Sequence, residues 1–249
     1  VPGTIDNDIT ATDYTVGFDT AMNTAMEAID KLRDTCQSHA RCNVVEVMGR
    51  DCGCIALNSG ISAGAVAIAI PEIPFDSEAA IQKIRSVKAA GKRGMIVVIS
   101  EGVRTPDGQP MGEWLTPRIE NETGVETRFA RFAHIVRGGN PSLRDRILAS
   151  RLGVLAVEEL LLGNSNIVVC ERDNQTIAED IYFTMDVHGV VRIGEEEAAK
   201  NSEGIFEIIC NSLDTLVNVD CVAVLFARKT MKFTALILIK YNTVAALAM

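Results

Sequence analysis

Apolar residues recur at three- and four-residue steps at Phe18, Met22, Met26, Ile29 and Leu32, which predicts an amphipathic helix from Thr15 to about Asp34. The thirteen residues before it, VPGTIDNDITATD, read as a polar loop with an acidic centre. Val44–Met48 predicts a short strand, GRDCG a turn, Cys54–Ser62 a helix, and Val66–Ile70 a second strand stopped by Pro71 and Pro74. A helix begins at Ser77 and runs to Ala90, where Gly91 ends it. The almost continuous apolar run MIVVIS at Met95–Ser100 suits a strand buried on both faces of a parallel sheet. Beyond it the pattern predicts a loop over Glu101–Gly112, a helix over Glu113–Thr123 and a strand over Thr127–Val136. The loop RGGNPS then leads into a helix from Leu143 to about Leu162, and Ile167–Cys170 reads as another strand.

Strands and helices therefore alternate through about residue 170, and the fold class is α/β with a mostly parallel sheet. In such sheets ligands bind beyond the carboxyl ends of the strands, where the long polar loops fall. Two regions are expected, 1–172 with the alternating pattern and 173–249 with a divergent one. In the second, Glu195–Lys200 and Ile205–Leu216 read as helical. The last thirty residues are apolar, but Arg228, Lys229, Lys232 and Lys240 interrupt them. No uninterrupted run reaches the roughly 20 residues that span a bilayer, so no membrane partner is expected.

Composition narrows the picture. The 249 residues are 47% hydrophobic and 23% charged, which excludes a disordered or fibrous chain. A net charge of −9 argues against nucleic acid as a partner. Seven scattered cysteines without a C-x-x-C pair, and only three histidines, indicate buried free thiols in a reducing compartment rather than zinc or a disulfide framework. No signal peptide opens the chain, and its Val-Pro-Gly start without Met leads us to expect residues upstream.

Three loops carry candidate chemistry. Asp6 and Asp8, in a loop with Gly3, Thr4 and Asn7, could point two carboxylates into one pocket. One would act as a base and the other would hold a hydrated Mg²⁺ near transferring phosphates; a solvated Asp/Asn turn is the alternative. Arg50, in MGRDCG after a strand, could grip phosphate oxygens with both arms of its guanidinium, or be a surface residue. ETRFARFAHIVRGG offers Arg128, Arg131, His134 and Arg137 within ten residues. On a strand, Arg128 and His134 would face one side and Arg131 and Arg137 the other, although Arg137 is at the strand's end, where loop geometry can turn it back; a phosphorylated small molecule or a structural ion network would account for the cluster. Arg41 precedes the first strand, and Glu101 ends MIVVIS. Lys88, Lys92 and Arg93 could bind a second anion or stabilise a helix C-terminus.

Taken together, GTIDNDI followed by TDYTVGFDTA, then VVEVMGRDCG, Pro71–Glu72, the strand ending at Glu101, and ETR…HIVRGGNPSLRDRILASRLG resemble the 6-phosphofructokinase family, ATP-dependent and bacterial-type, over residues 1–172. The resemblance implies a three-layer Rossmann-like fold. It also implies transfer of the ATP γ-phosphoryl group to the 1-hydroxyl of fructose 6-phosphate, a cytoplasmic step of glycolysis that uses Mg²⁺. Asp6 matches the base, Asp8 the acid near the metal, Thr4 a residue contacting the transferring group, and Arg50 the residue stabilising its charge. Met48 and Gly49 match the sugar pocket, Glu101 a sugar-hydroxyl acceptor, and Arg128, His134, Arg137 and Arg41 the phosphate and sugar binders. Arg41 and Arg128 would come from a neighbouring subunit of a tetramer. Arg33, Glu72, Lys88, Lys92 and Arg93 are candidate effector-site residues, for ADP or phosphoenolpyruvate. Gly3 stands where pyrophosphate-dependent members carry Lys, which favours ATP. The family's Gly-rich nucleotide loop and its GGDGS-like segment do not occur, so the fold is expected to be incomplete, lacking the N-terminal nucleotide-binding part. A pyrophosphate-dependent enzyme and a non-catalytic sugar-phosphate-binding subunit remain alternatives.

Overall fold

Four parallel strands set the frame: β1 (Cys42–Val47), β2 (Ala67–Ala69), β3 (Met95–Ser100) and β4 (Thr127–Arg131), in the order β2-β3-β1-β4. The structure is a computed structural model that describes residues 1–181 and the backbone of 221–227, 234–240 and 243–248. β1 and β3 are buried along their whole length, as the unbroken run MIVVIS predicts for a strand covered on both faces. Alternation then divides the side chains between two layers. Cys42 and Val44 of β1, with Met95, Val97 and Ile99 of β3, meet Ala80, Ile81 and Ile84 of α3 (Ser77–Ala89) and Leu115 and Ile119 of α4 (Met111–Thr123). The opposite face receives α1 (Phe18–His39) and α2 (Cys54–Ser62). The result is a three-layer α/β core.

Most predicted elements are present within a few residues. α1 runs five residues beyond Asp34, to His39, and ends where Ala40 turns left-handed at φ 55. Two expectations require correction. β4 stops at Arg131, and Ala133–Arg137 is a 3₁₀ turn. Ile167–Cys170 does form a strand, β5 (Ile167–Arg172), but it does not extend the parallel sheet. It pairs antiparallel with β6 (Gln175–Asp180) through Arg172 and Gln175, with Asp173 and Asn174 in the left-handed region of a tight hairpin. α5 (Leu143–Leu161) packs against α1, β5 and β6.

The chain divides into two compact units, Val1–Arg192 and Ile193–Met249. In the second, β7 (Cys221–Ala227), β8 (Thr234–Lys240) and β9 (Thr243–Ala248) form an antiparallel sheet. The helices expected at Glu195–Lys200 and Ile205–Leu216 lie outside the described residues. Among the described residues, no helix is long and apolar enough to cross a membrane. The five described cysteines before residue 181, at 36, 42, 52, 54 and 170, are buried.

Candidate active site

The carboxyl edge of the sheet builds the site. After Val47 the chain passes through buried Met48 and turns at Gly49 (φ 147) and Arg50 (φ 52). A side chain at Gly49 would start 2.4 Å from the Cys52 carbonyl oxygen, so only glycine closes this turn. Glu101, the first residue beyond β3, fastens it. Its amide donates to Val47 O at 2.9 Å, and its Oε1 accepts from the amides of Gly49 (3.3 Å) and Arg50 (2.9 Å). The Arg50 backbone is thereby fixed while its side chain stays 70% exposed.

The loop Thr4–Asp8 faces this turn. Asn7 holds the loop in shape from a left-handed backbone (φ 56). Its Oδ1 accepts from the Thr15 amide at 2.9 Å, its Nδ2 donates to Asp13 O at 3.2 Å, and Thr15 Oγ1 donates to Thr4 O at 2.6 Å. Thr4 Oγ1 accepts from the Asp6 amide at 3.2 Å. The two arms of Arg50 then reach one carboxylate each: Nη2 lies 3.7 Å from Asp6 Oδ2 and Nη1 3.6 Å from Asp8 Oδ2. Asp6 is buried and its Oδ1 makes no hydrogen bond to the protein. Burial pushes the Asp6 carboxyl above its ordinary range; Asp8 and Glu101 push the same way, against Arg50 and Arg137. Asp8 remains open to solvent.

The 3₁₀ turn adds the basic side chains. The Phe132 amide donates to Glu46 O at 3.0 Å, so the turn begins where β1 ends. Strand alternation would separate His134 from Arg137, but in a 3₁₀ helix residues three apart eclipse one another. Both are exposed on the turn, and Arg137 bears electrostatically on Asp6. Arg131 belongs to a structural network instead: it pairs with buried Glu46 and, at 3.0 Å, with Glu113. Arg41 and Arg128 sit at the other end of the sheet. Arg41 precedes β1, Arg128 is opposite Asn43, and both guanidiniums pair with Glu126. From Cys42 to Val47 a strand advances about 17 Å, which keeps these two arginines out of the Asp6 site of their own chain.

The profile of the Phosphofructokinase family matches residues 1–160. The chain belongs to the phosphofructokinase family. An ATP-dependent 6-phosphofructokinase of Clostridium novyi is 49% identical over 181 residues, which is 73% of this chain and 55% of the relative. One from Bacillus pumilus is 50% identical over 186 residues, 75% of this chain and 56% of the relative. Among solved structures, phosphofructokinase from Saccharomyces cerevisiae superposes with a TM-score of 0.68 at 34% identity, covering 74% of this chain and 25% of that one. The chain thus spans little more than half the length of the curated phosphofructokinases it matches.

The candidate effector residues of the chain do not form one cluster. Arg33 pairs with Asp30 and donates to Ala63 O beyond the end of α2, and Arg33 and Lys83 both repel the Lys92 ammonium. Glu72 lies at the opposite end of α2, accepting from the Gly53 amide at 2.7 Å; nine helical residues separate the two ends by about 13 Å. Lys88 donates to the last carbonyls of α4, Thr123 O and Gly124 O, and Arg93 to Ser38 O. Lys88 therefore fits the helix-terminus alternative. Residues whose part the sequence does not reveal matter as much. Asn7 and Thr15 shape the carboxylate loop, and Asp145 of α5 caps α1 from a distance. It accepts from the amides of Gly17 (2.9 Å) and Thr20 (2.8 Å), and from Thr20 Oγ1. The pattern Ser142-x-x-Asp145 was the available signal, a capping box whose acid here serves a second helix.

Proposed function

We propose that this chain carries the acceptor half of an ATP-dependent 6-phosphofructokinase, transferring the γ-phosphoryl group of ATP to the 1-hydroxyl of fructose 6-phosphate. The observation that carries the reading is the buried Asp6 carboxylate with an unpartnered Oδ1 beside Arg50 and Asp8 at the carboxyl edge of the sheet. Asp6 takes the proton of the 1-hydroxyl as that oxygen attacks phosphorus, and burial gives it a higher proton affinity than an ordinary carboxylate. The bond to the leaving oxygen of ADP breaks as the new ester bond forms. Arg50 swings from the two carboxylates to the equatorial oxygens of the transferring group; its exposed contacts at 3.6 and 3.7 Å are weak enough to exchange. Phosphoryl transfer asks little covalent chemistry of the protein beyond this positioning.

Asp8 fits a hydrated Mg²⁺. Among the described residues no group of three or more acidic, His or Cys side chains could hold a metal, and Mg²⁺ commonly uses one or two carboxylates together with substrate phosphates. When bound, it neutralises charge on the phosphate oxygens. His134 and Arg137 receive the 6-phosphate, Glu101 accepts a sugar hydroxyl through its second oxygen, and Met48, Gly49 and Thr4 bound the pocket. Arg41 and Arg128 complete the phosphate clamp of a neighbouring subunit, so the working form is an oligomer, a tetramer by analogy with the family. Arg33 and Lys92 are the effector-site residues retained for ADP or phosphoenolpyruvate. ATP is favoured as donor because the relatives at 49–50% identity bear that name. The fold leaves open space around Gly3, so packing alone does not require glycine there.

A coupled assay for fructose 1,6-bisphosphate with saturating fructose 6-phosphate and Mg²⁺, run separately with ATP and with pyrophosphate, tests the reading. Turnover with ATP that disappears in Asp6→Asn is the expected result. Turnover with pyrophosphate alone would reverse the donor. Sugar-phosphate binding without turnover would make the chain a binding module.

A further inference from the structure

Immediately behind Arg50, the sequence Cys52-Gly53-Cys54 places two thiols face to face where α2 begins. Their sulfurs lie 2.8 Å apart, and the side chains belong to residues only 5% and 7% exposed. The pair is not a general consequence of cysteine content, since Cys36, Cys42 and Cys170 are buried elsewhere in the fold. Glu72 reaches the same spot. Its Oε1 caps Gly53 at 2.7 Å, while its Oε2 is buried and would lie 2.6 Å from a Cβ on Gly53. Glu72 also takes a hydrogen bond from the Cys52 thiol, so a carboxylate acceptor sits beside the pair. Its proton affinity is raised by burial.

The geometry points to Cys52 and Cys54 as a modification site: a thiol pair that closes to a disulfide under peroxide, within the turn that carries Arg50. One thiol passes its proton to Glu72, and the thiolate sulfur attacks a peroxide oxygen, breaking the O–O bond and releasing the other oxygen as water. The resulting sulfenic acid is attacked by the second thiol, and its oxygen leaves as a second water. Two thiols and one hydrogen peroxide give one disulfide and two waters. The hydrogen bond to Cys54 and then burial push the Cys52 thiol well up, and the Glu72 charge adds to the rise, so its thiolate is scarce and oxidation is slow; peroxide is nevertheless small, and Arg50 and Asp51 beside the pair are exposed. The bond is expected to reach the turn. The Cys52 amide holds Gly49 O at 2.9 Å, and Gly49 leaves no room for a wider loop because a Cβ there would already meet Cys52 O.

Differential alkylation with peptide mapping of the fully reduced chain, before and after hydrogen peroxide, tests this. The peptide holding both cysteines should lose ~2 mass units, recover them with a reductant, and show no such loss in Cys54→Ser, where oxidation can go no further than a sulfenic or higher acid on Cys52. Accompanying hydrogen exchange should show faster amide exchange at Gly49 and Arg50 in the oxidised form. A peptide that stays alkylatable at both positions, a sulfinic acid at one of them, or pairing of Cys52 with Cys36 or Cys42 would overturn the assignment. Unchanged exchange at Gly49 and Arg50 would overturn its link to the turn. The wild-type mapping stands even if the variant misfolds.

Discussion

Asp6 joins two properties that pull apart stability and chemistry. Its folded-state proton affinity is raised above the ordinary carboxylate value of 3.8. The folded state therefore favours the protonated form. That contribution is fully present below pH 3.8 and is lost as pH rises through the folded-state value, so at neutral pH the ionised carboxylate weighs against the fold. Asp6→Asn should accordingly melt no lower than the parent at pH 7, and the difference should shrink as pH falls toward 4 in thermal scans. Turnover should drop by roughly 10²- to 10⁴-fold, the usual size of a lost general base, and in the parent it should fail on the acid side above the range of an unperturbed carboxylate. Glu101 makes the opposite case. Its oxygen fastens two backbone amides at a left-handed turn, so Glu101→Ala should lower stability by about 1–3 kcal/mol in urea titrations. Glu101→Gln, which keeps a carbonyl acceptor, should lose less.

Elements were legible where a pattern of one period filled them. MIVVIS and the three-to-four spacing from Phe18 to Leu32 specify a buried strand and an amphipathic helix without help from the rest of the chain, and both are present. The stretch Thr127–Val136 was not legible in this way, because TRFARFAHIVR carries apolar residues compatible with either strand or turn. What ends β4 is the Phe132 amide turning back to Glu46 O, a contact between residues 86 positions apart that no local window contains. The 3₁₀ turn changes which side His134 and Arg137 share, because residues three apart eclipse there and alternate on a strand. Asp145 shows the same limit for helix ends. α1 begins at Gly17 with no side-chain cap of its own, and the acid that supplies one lies on α5. Asp145→Ala would leave those half-buried donors without their acceptor and should lower stability by roughly 1–2 kcal/mol by denaturant midpoint, with Asp145→Asn intermediate.

At the scale of the whole molecule, the sheet keeps two sets of basic residues apart. Its carboxyl edge holds Arg50, Glu101, His134 and Arg137, and Asp6 and Asp8 face it through Arg50. Its amino edge holds Arg41 and Arg128, joined by Glu126. The motifs carrying these residues were legible in sequence, but their separation was not, because it follows from the parallel register of β1 with β4. A single chain cannot fold one edge onto the other across buried β1. If both arginines nevertheless serve the sugar phosphate, two copies must meet with the amino edge of one against the carboxyl edge of the other. Arg128→Ala and Arg137→Ala then damage different subunits' contributions to the same pocket. Each variant alone should bind fructose 6-phosphate weakly by calorimetry. An equimolar mixture, after subunit exchange, should regain tight binding at about a quarter of the sites, where neither contributing chain carries a lesion in that pocket. Recovery of no tight sites, in a mixture shown by sedimentation to contain hybrids, would mean that the two arginines act within one chain, whereas tight binding by Arg128→Ala alone would mean that Arg128 serves only its ion pair with Glu126.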